Sequence, residues 1–292
     1  MELGRLLTAM ATPFDADLKV DYAAVERLAQ HLLDTGSQGI VVSGTTGESP
    51  TLTKEEKLEL FRVVKRTAAG RAAVVAGTGT YSTAESIELT RAAEKTGVDA
   101  VMLVAPYYNK PQQEGLYQHF RTVAESTALP VILYNVPSRT VTDIQPQTVI
   151  RLAEVPNIIA IKEATKNMEV AAEIRAGTPP SFRIYSGDDS VTLPLMAVGG
   201  HGIISVAGHL CGRSIREMTE RFASGDTAGA LDAHLKLFPL FRAIFVTTSP
   251  VPLKHALNRI GVPVGGVRPP LVAANEKEMA VVDAAMRGLG LI

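Results

Sequence analysis

Short apolar runs, unbroken by polar alternation, recur along the chain with amphipathic segments between them. Eight of them read as strands: 5–11, 39–43, 72–77, 99–104, 131–135, 157–162, 182–186 and 202–206. A run without alternation predicts a strand buried on both faces, as in a parallel sheet covered by helices. Gly36, Gly70, Gly97, Pro130, Pro156, Pro180 and Gly200 precede most of these runs, which fits the tight connections of a repeating strand–helix unit. Between the first two runs, Val25, Leu28, Ala29, Leu32 and Leu33 fall on one helical face. Thr53–Glu56 and Ser82–Glu85 have the spacing of capping boxes that open the next two helices. Eight alternations in about 220 residues predict a (β/α)8 TIM barrel. A doubly wound open sheet is the alternative and usually needs fewer strands.

After Gly225 the strand pattern stops. Segments 227–246, 251–260 and 275–289 predict helices, with turn-rich 261–270 between the last two. No long Ser/Gly linker sets this part apart. The expected organisation is a barrel over 1–224 and a helical region, 225–292, packed on it.

Composition narrows the partners. The 292 residues carry 29 basic and 30 acidic side chains, a net charge of −1, with no block of like charge. This disfavours nucleic acid and anionic membranes. The one cysteine, Cys211, leaves no internal disulfide and suits a reducing cytoplasm; its expected state is a buried, inert thiol. Ala9-Met10-Ala11 has the spacing of a signal-peptidase site, but the apolar run before it is short and Glu2 stands where positive charge is needed. The uncharged stretch 190–212 is long enough for a membrane span. Its five glycines, Pro194 and two histidines instead predict loop, helix and strand. A cytoplasmic protein is expected.

The candidate chemistry gathers at strand ends. Ile158-Ile159-Ala160-Ile161 runs straight into Lys162-Glu163, and the carboxyl ends of barrel strands are where such folds place their chemistry. Burial there disfavours the ammonium and frees the amine for Schiff-base formation with a carbonyl substrate. A lysine that snorkels to solvent is the plainer alternative. Gly44-Thr45-Thr46-Gly47-Glu48 follows the second strand, with backbone N–H groups and two hydroxyls suited to a carboxylate. Tyr134 ends the fifth strand with a phenol able to shuttle protons, and Arg139 adds a charged fork for a carboxylate. Pro106-Tyr107-Tyr108-Asn109 contributes two more phenols after the fourth strand. In Ser186-Gly187-Asp188-Asp189, Gly187 permits close approach of a ligand, and both aspartates read as helix caps. Gly77-Thr78-Gly79 lacks the third glycine of a dinucleotide fingerprint, the six histidines lack metal-ligand spacing, and there is no Gly-x-Ser-x-Gly elbow. The sequence implies no metal and no redox cofactor. The residues alone describe a lysine-dependent aldolase.

The loop 44–48, the segment 134–140 and Ile161-Lys162-Glu163-Ala164-Thr165 together resemble the dihydrodipicolinate synthase family, related to N-acetylneuraminate lyase. The likeness extends over essentially the whole chain, including Tyr107-Tyr108-Asn109, 113–120 and 186–189. It implies condensation of pyruvate with L-aspartate 4-semialdehyde to 4-hydroxy-tetrahydrodipicolinate, on the diaminopimelate route to lysine. By that resemblance Lys162 forms the imine, and Tyr134, Thr45 and Tyr108 relay protons, with Tyr108 reaching in from a neighbouring subunit. Thr45 and Thr46 hold the pyruvate carboxylate, Arg139 takes that of the second substrate, and Gly187 and Ile204 line the pocket. A homotetramer made of two tight dimers is implied.

Two alternatives remain at this point. One is a related lyase acting on sugar acids, against which Ser138-Arg139-Thr140 argues. The other is a non-catalytic ligand binder on the same scaffold. The resemblance also places an effector site for lysine near Ser49, Pro50, Lys54, Lys57, Tyr81, Glu85 and Tyr107. Sensitive members often carry His at the positions of Lys54 and Lys57 and Asn at that of Tyr81. Two added ammonium groups predict inhibition by lysine that is weak or absent.

Overall fold

The structure, a computed structural model, describes residues 3–292; Glu2, which argues against a signal peptide, lies outside them. The apolar runs form β1 (Leu6–Ala9), β2 (Gly39–Val42), β3 (Ala73–Gly77), β4 (Ala100–Val104), β5 (Val131–Asn135), β6 (Ile158–Glu163), β7 (Arg183–Ser186) and β8 (Gly202–Ser205). Each strand pairs in parallel with the next, and β1 pairs with β8, so the sheet closes into a barrel. Closure explains the lack of alternation in the sequence. Leu7, Val41, Val75, Met102, Ile132, Ala160, Tyr185 and Ile204 pack together inside the barrel. Their neighbours Leu6, Ile40, Val74, Val101, Leu133, Ile161, Ile184 and Ile203 pack outward in the core shared with the helices. Both faces are dry, so both must be apolar.

The helices α1 (Tyr22–Asp34), α2 (Lys54–Ala68), α3 (Thr83–Glu94) and α4 (Gln113–Glu125) lie on the first half of the barrel. α5 (Pro137–Thr140), α6 (Pro146–Leu152), α7 (Met168–Gly177), α8 (Thr192–Ala197) and α9 (Gly208–Ala223) follow. The predicted face of α1 is buried as expected. At α2 the capping box is complete: the Glu56 N–H donates to Thr53 Oγ1 at 3.2 Å and the Thr53 N–H to Glu56 Oε2 at 2.9 Å. At α3 only half of it forms. Ser82 accepts from the Glu85 N–H, but the Glu85 carboxylate takes the Thr80 hydroxyl instead of returning to Ser82.

The chain ends with α10 (Thr227–Ala243), α11 (Val251–Arg259) and α12 (Glu276–Gly288). Leu237, Leu240, Phe241, Leu253, Leu257, Val282 and Met286 belong to the same apolar core as Leu28 and Phe61 of the barrel helices. The extension is therefore packed on the barrel by ordinary hydrophobic burial. Among the described residues no helix is long and apolar enough to cross a membrane; the stretch 190–212 divides among α8, β8 and the start of α9.

Candidate active site

Eight parallel strands deliver all their carboxyl ends to one mouth. The decisive local feature lies in β6. Val131 pairs with Ile158 but Ile132 pairs with Ala160, so Ile159 is an extra residue, a bulge. Without that shift Tyr134 would sit beside Ile161. With it Tyr134 sits beside Lys162, and both side chains face the interior. Lys162 is 4% exposed, Tyr134 5%, and the Lys162 ammonium lies 4.3 Å from the centre of the Tyr134 ring. The lysine does not snorkel out.

A cavity of about 240 Å3 opens where β2, β3, β4 and β5 end. Thr45, Tyr107, Tyr134 and Arg139 border it, as do Ser49, Pro50 and Lys57. Gly77 makes room at its wall, because a Cβ there would come within 2.3 Å of the Ser43 carbonyl oxygen. Among the described residues the hydroxyls of Thr45 and Tyr134 and the guanidinium of Arg139 have no hydrogen-bonding or ionic partner. The Gly47, Glu48 and Ser49 N–H groups are spent inside their own loop, on Gly44 and Thr45 carbonyls. Those of Thr45 and Thr46 accept no such use and remain able to meet an anion.

The remaining predicted residues, Lys162 among them, are not part of the cavity's lining. Thr46 is buried in the loop behind Thr45, and Ile204 is fully buried inside the barrel opposite Leu7. Gly187 follows β7, its N–H donating to Glu163 O at 2.7 Å; a Cβ there would stand 2.6 Å from the Ala164 Cβ. Tyr108 is 92% exposed, with φ at +75°, and takes no part in the cavity of its own chain. The effector candidates separate as well. Lys54 turns away to pair with Glu88 on α3, so only Lys57 brings an ammonium to the cavity. Burial lowers the Lys57 pKa, with Glu85 acting in the opposite sense. Tyr81 packs edge-on against Tyr107 at 5.2 Å. Burial first, then Tyr81 and Glu85, raises the Tyr107 phenol.

The comparisons with known proteins agree in kind. The model of the Dihydrodipicolinate synthetase family matches residues 2–288. The chain is 58% identical over 292 residues to 4-hydroxy-tetrahydrodipicolinate synthase of Desulforudis audaxviator, covering 100% of this chain and 99% of that one. It is 56% identical to the enzyme of the same name from Moorella thermoacetica, over all of both chains. The crystal structure of DHDPS from Cyanidioschyzon merolae with lysine bound superposes with a TM-score of 0.98 at 46% identity, covering 99% of each chain.

The chain belongs to the dihydrodipicolinate synthetase family.

For this member of the family the structure adds residues that sequence reasoning passed over. Glu163, next to Lys162, is buried and accepts from the Thr165 N–H at 2.6 Å and the Asn135 side chain at 3.1 Å. Burial raises its pKa against those hydrogen bonds. Asn135 in turn donates to Asp143 at 2.8 Å and accepts from the Ile144 N–H, locking the ends of β5 and β6. Their adjacency to Tyr134 and Lys162 was the available signal.

The aspartates after β7 divide their work. Asp188 caps the turn at Ser190, as predicted, and pairs with Lys166 at 2.7 Å. Asp189 does not cap. It is buried and accepts from Ser205 Oγ and from the Val206 and Ala207 N–H groups, tying the end of β8. Burial pushes its carboxyl up to about 6. Cys211 is half-buried and not fully buried as expected, its sulfur donating to Ala207 O at 3.3 Å with burial of the thiol holding it well above its usual range.

Proposed function

We propose that this protein condenses pyruvate with L-aspartate 4-semialdehyde through an imine on Lys162, giving 4-hydroxy-tetrahydrodipicolinate. The observation that carries this reading is the buried lysine set against the Tyr134 ring at the mouth of a barrel of this family. The Lys162 amine attacks the ketone carbon of pyruvate, and water leaves as the C=N bond forms. Loss of a methyl proton gives an enamine, whose carbon attacks the aldehyde. The amino group of the second substrate then displaces Lys162 and closes the ring. Tyr134 and Thr45 carry the protons, Thr45 and Thr46 hold the pyruvate carboxylate, and Arg139 receives the carboxylate of the aldehyde. Gly187 and Ile204 complete the wall.

A coupled assay comparing aspartate 4-semialdehyde with sugar acids tests the reaction. Turnover of sugar acids alone would make this a lyase of that class. The unpaired Arg139 guanidinium favours the short acidic aldehyde.

The resemblance to the family also supports a homotetramer of two tight dimers, located in the cytoplasm, with the barrel spanning 1–224 and the extension 225–292. An almost fully exposed Tyr108 in a left-handed backbone conformation is costly for a bulky side chain. A neighbouring copy that uses its phenol gives that cost a purpose. Tyr108→Phe is expected to lower turnover roughly ten- to a hundredfold while leaving the thermal midpoint nearly unchanged. A fully active monomer at assay concentration would count against the shared site.

Inhibition by lysine is expected to be weak or absent, though on one ammonium group instead of two. Lys54 is engaged with Glu88, which leaves Lys57 as the repelling ammonium beside Ser49 and Tyr107. Like charges ~4 Å apart at an effective dielectric of about 20 cost about 4 kcal/mol. An inhibition titration checks this, and half-inhibition below about a millimolar would contradict it.

A further inference from the structure

The loop that carries Thr45 and Thr46 ends at Glu48, whose backbone is left-handed, with φ at 55°. Its backbone is held locally, the Glu48 N–H donating to Thr45 O and the Thr51 N–H and hydroxyl donating to Glu48 O, each at 3.0 Å. The groups that hold its side chain come from the far end of the chain. The Glu48 carboxylate is buried; its Oε1 lies 2.6 Å from Lys254 Nζ on α11, and its Oε2 accepts from the Arg268 N–H at 2.9 Å. Lys254 donates also to Gly266 O at 2.6 Å.

The Arg268 guanidinium forks onto Glu56 in the first turn of α2, at 2.6 and 2.8 Å. It also reaches Thr51 O and Leu18 O, both at 2.8 Å. Both cations stack on one ring, with Lys254 Nζ 4.0 Å and Arg268 Cζ 4.5 Å from the centre of Phe14. Phe14 is itself pinned, its N–H donating to Val264 O at 3.0 Å. Two cations meet two carboxylates here, and the cluster clamps both the end of the loop and the turn that follows it. Neither Lys254 nor Arg268 borders the cavity.

We infer that Lys254 and Arg268 are positioning residues for pyruvate, fixing the loop whose Thr45 and Thr46 receive its carboxylate. This rests on the reading of the site given above. A loop displaced by about 1 Å misplaces those groups and weakens the hold on the carboxylate. Arg139 and the aldehyde site are not part of the clamp.

Full-length Lys254→Met, Arg268→Gln and Arg268→Lys proteins test it by steady-state kinetics in both substrates. Borohydride trapping against pyruvate concentration gives a second readout. The KM for pyruvate and the trapping midpoint are expected to rise about tenfold in Lys254→Met, the equivalent of ~1.4 kcal/mol. The KM for the aldehyde should stay within about twofold, a split that simple loss of fold stability does not produce. Arg268→Gln should shift in the same direction, with partial recovery in Arg268→Lys. If Lys254→Met does not fold, the Arg268 pair decides. Wild-type protein that forms no adduct would overturn the proposed function. A wild-type adduct with unchanged pyruvate KM in the folded variants would overturn this inference alone.

Discussion

Lys162→Ala is expected to lower turnover by at least about 10⁴-fold, because it removes the nucleophile and not merely a contact. The same variant should give no mass adduct when pyruvate is reduced onto it with borohydride, whereas wild-type protein should be modified at Lys162. Lys57, unlike Lys162, borders the cavity, so an adduct mapped to Lys57 in wild-type protein would move the chemistry to the rim and sink the assignment. Folding should survive the change. The side chain lies inside the barrel beside the Tyr134 ring, and among the described residues no ion pair is broken by its removal. A circular-dichroism melt close to wild type, with turnover lost, separates the two effects.

Acidification is expected to destabilise the fold steeply between pH 6.5 and about 4. Burial lowers His119, His201 and His209 from 6.5 to about 4; at His201 the charges of Arg183 and Arg5 add to it. His209 shows the cause in its contacts. Its Nε2 accepts from the Ala11 N–H at 3.1 Å while its Nδ1 lies 2.8 Å from Val206 O, an arrangement that needs a neutral ring. Below pH 6.5 the unfolded chain binds a proton at each of these histidines and the folded chain does not, so their contribution is complete above 6.5 and is lost as pH falls toward 4. The buried His119 and His209 are each worth on the order of 3 kcal/mol over that window, and the partly exposed His201 contributes less because solvent screens it.

Asp189 works the other way. Its folded pKa is raised to about 6 from 3.8, so the folded state takes up its proton first and gains stability as pH falls between those values. That offsets about one histidine and leaves a net loss of roughly 3 kcal/mol or more, a sizeable share of the stability of a typical domain. Guanidinium denaturation at pH 7.5, 6 and 5 measures it. A midpoint that stays constant from pH 7.5 to 5 would show the buried histidines carry no such linkage.

All eight strands were legible in the sequence to within two residues at either end, because burial on both faces demands apolar side chains at consecutive positions. Glycine and proline marked the connections. Lys162, Tyr134 and the 44–48 loop were legible for a related reason: polar residues that end a buried apolar run have nowhere to go but the mouth. Capping at Thr53 could be read because all its atoms lie within four residues, and the same proximity misled at Ser82, where Thr80 competes for the Glu85 carboxylate. What only the tertiary structure decided were the pairings between distant parts of the chain. No local pattern says that Ile159 is the bulge that sets Lys162 beside Tyr134, that Asp189 ties β8, or that Lys54 chooses Glu88 over the cavity. Glu48 follows β2 and Lys254 lies beyond the last barrel strand, and their ion pair exists because closing the sheet and packing α11 onto it bring them to 2.6 Å. Periodicity encodes which face of a segment is buried; the identity of the partner it is buried against is fixed only when the chain closes on itself.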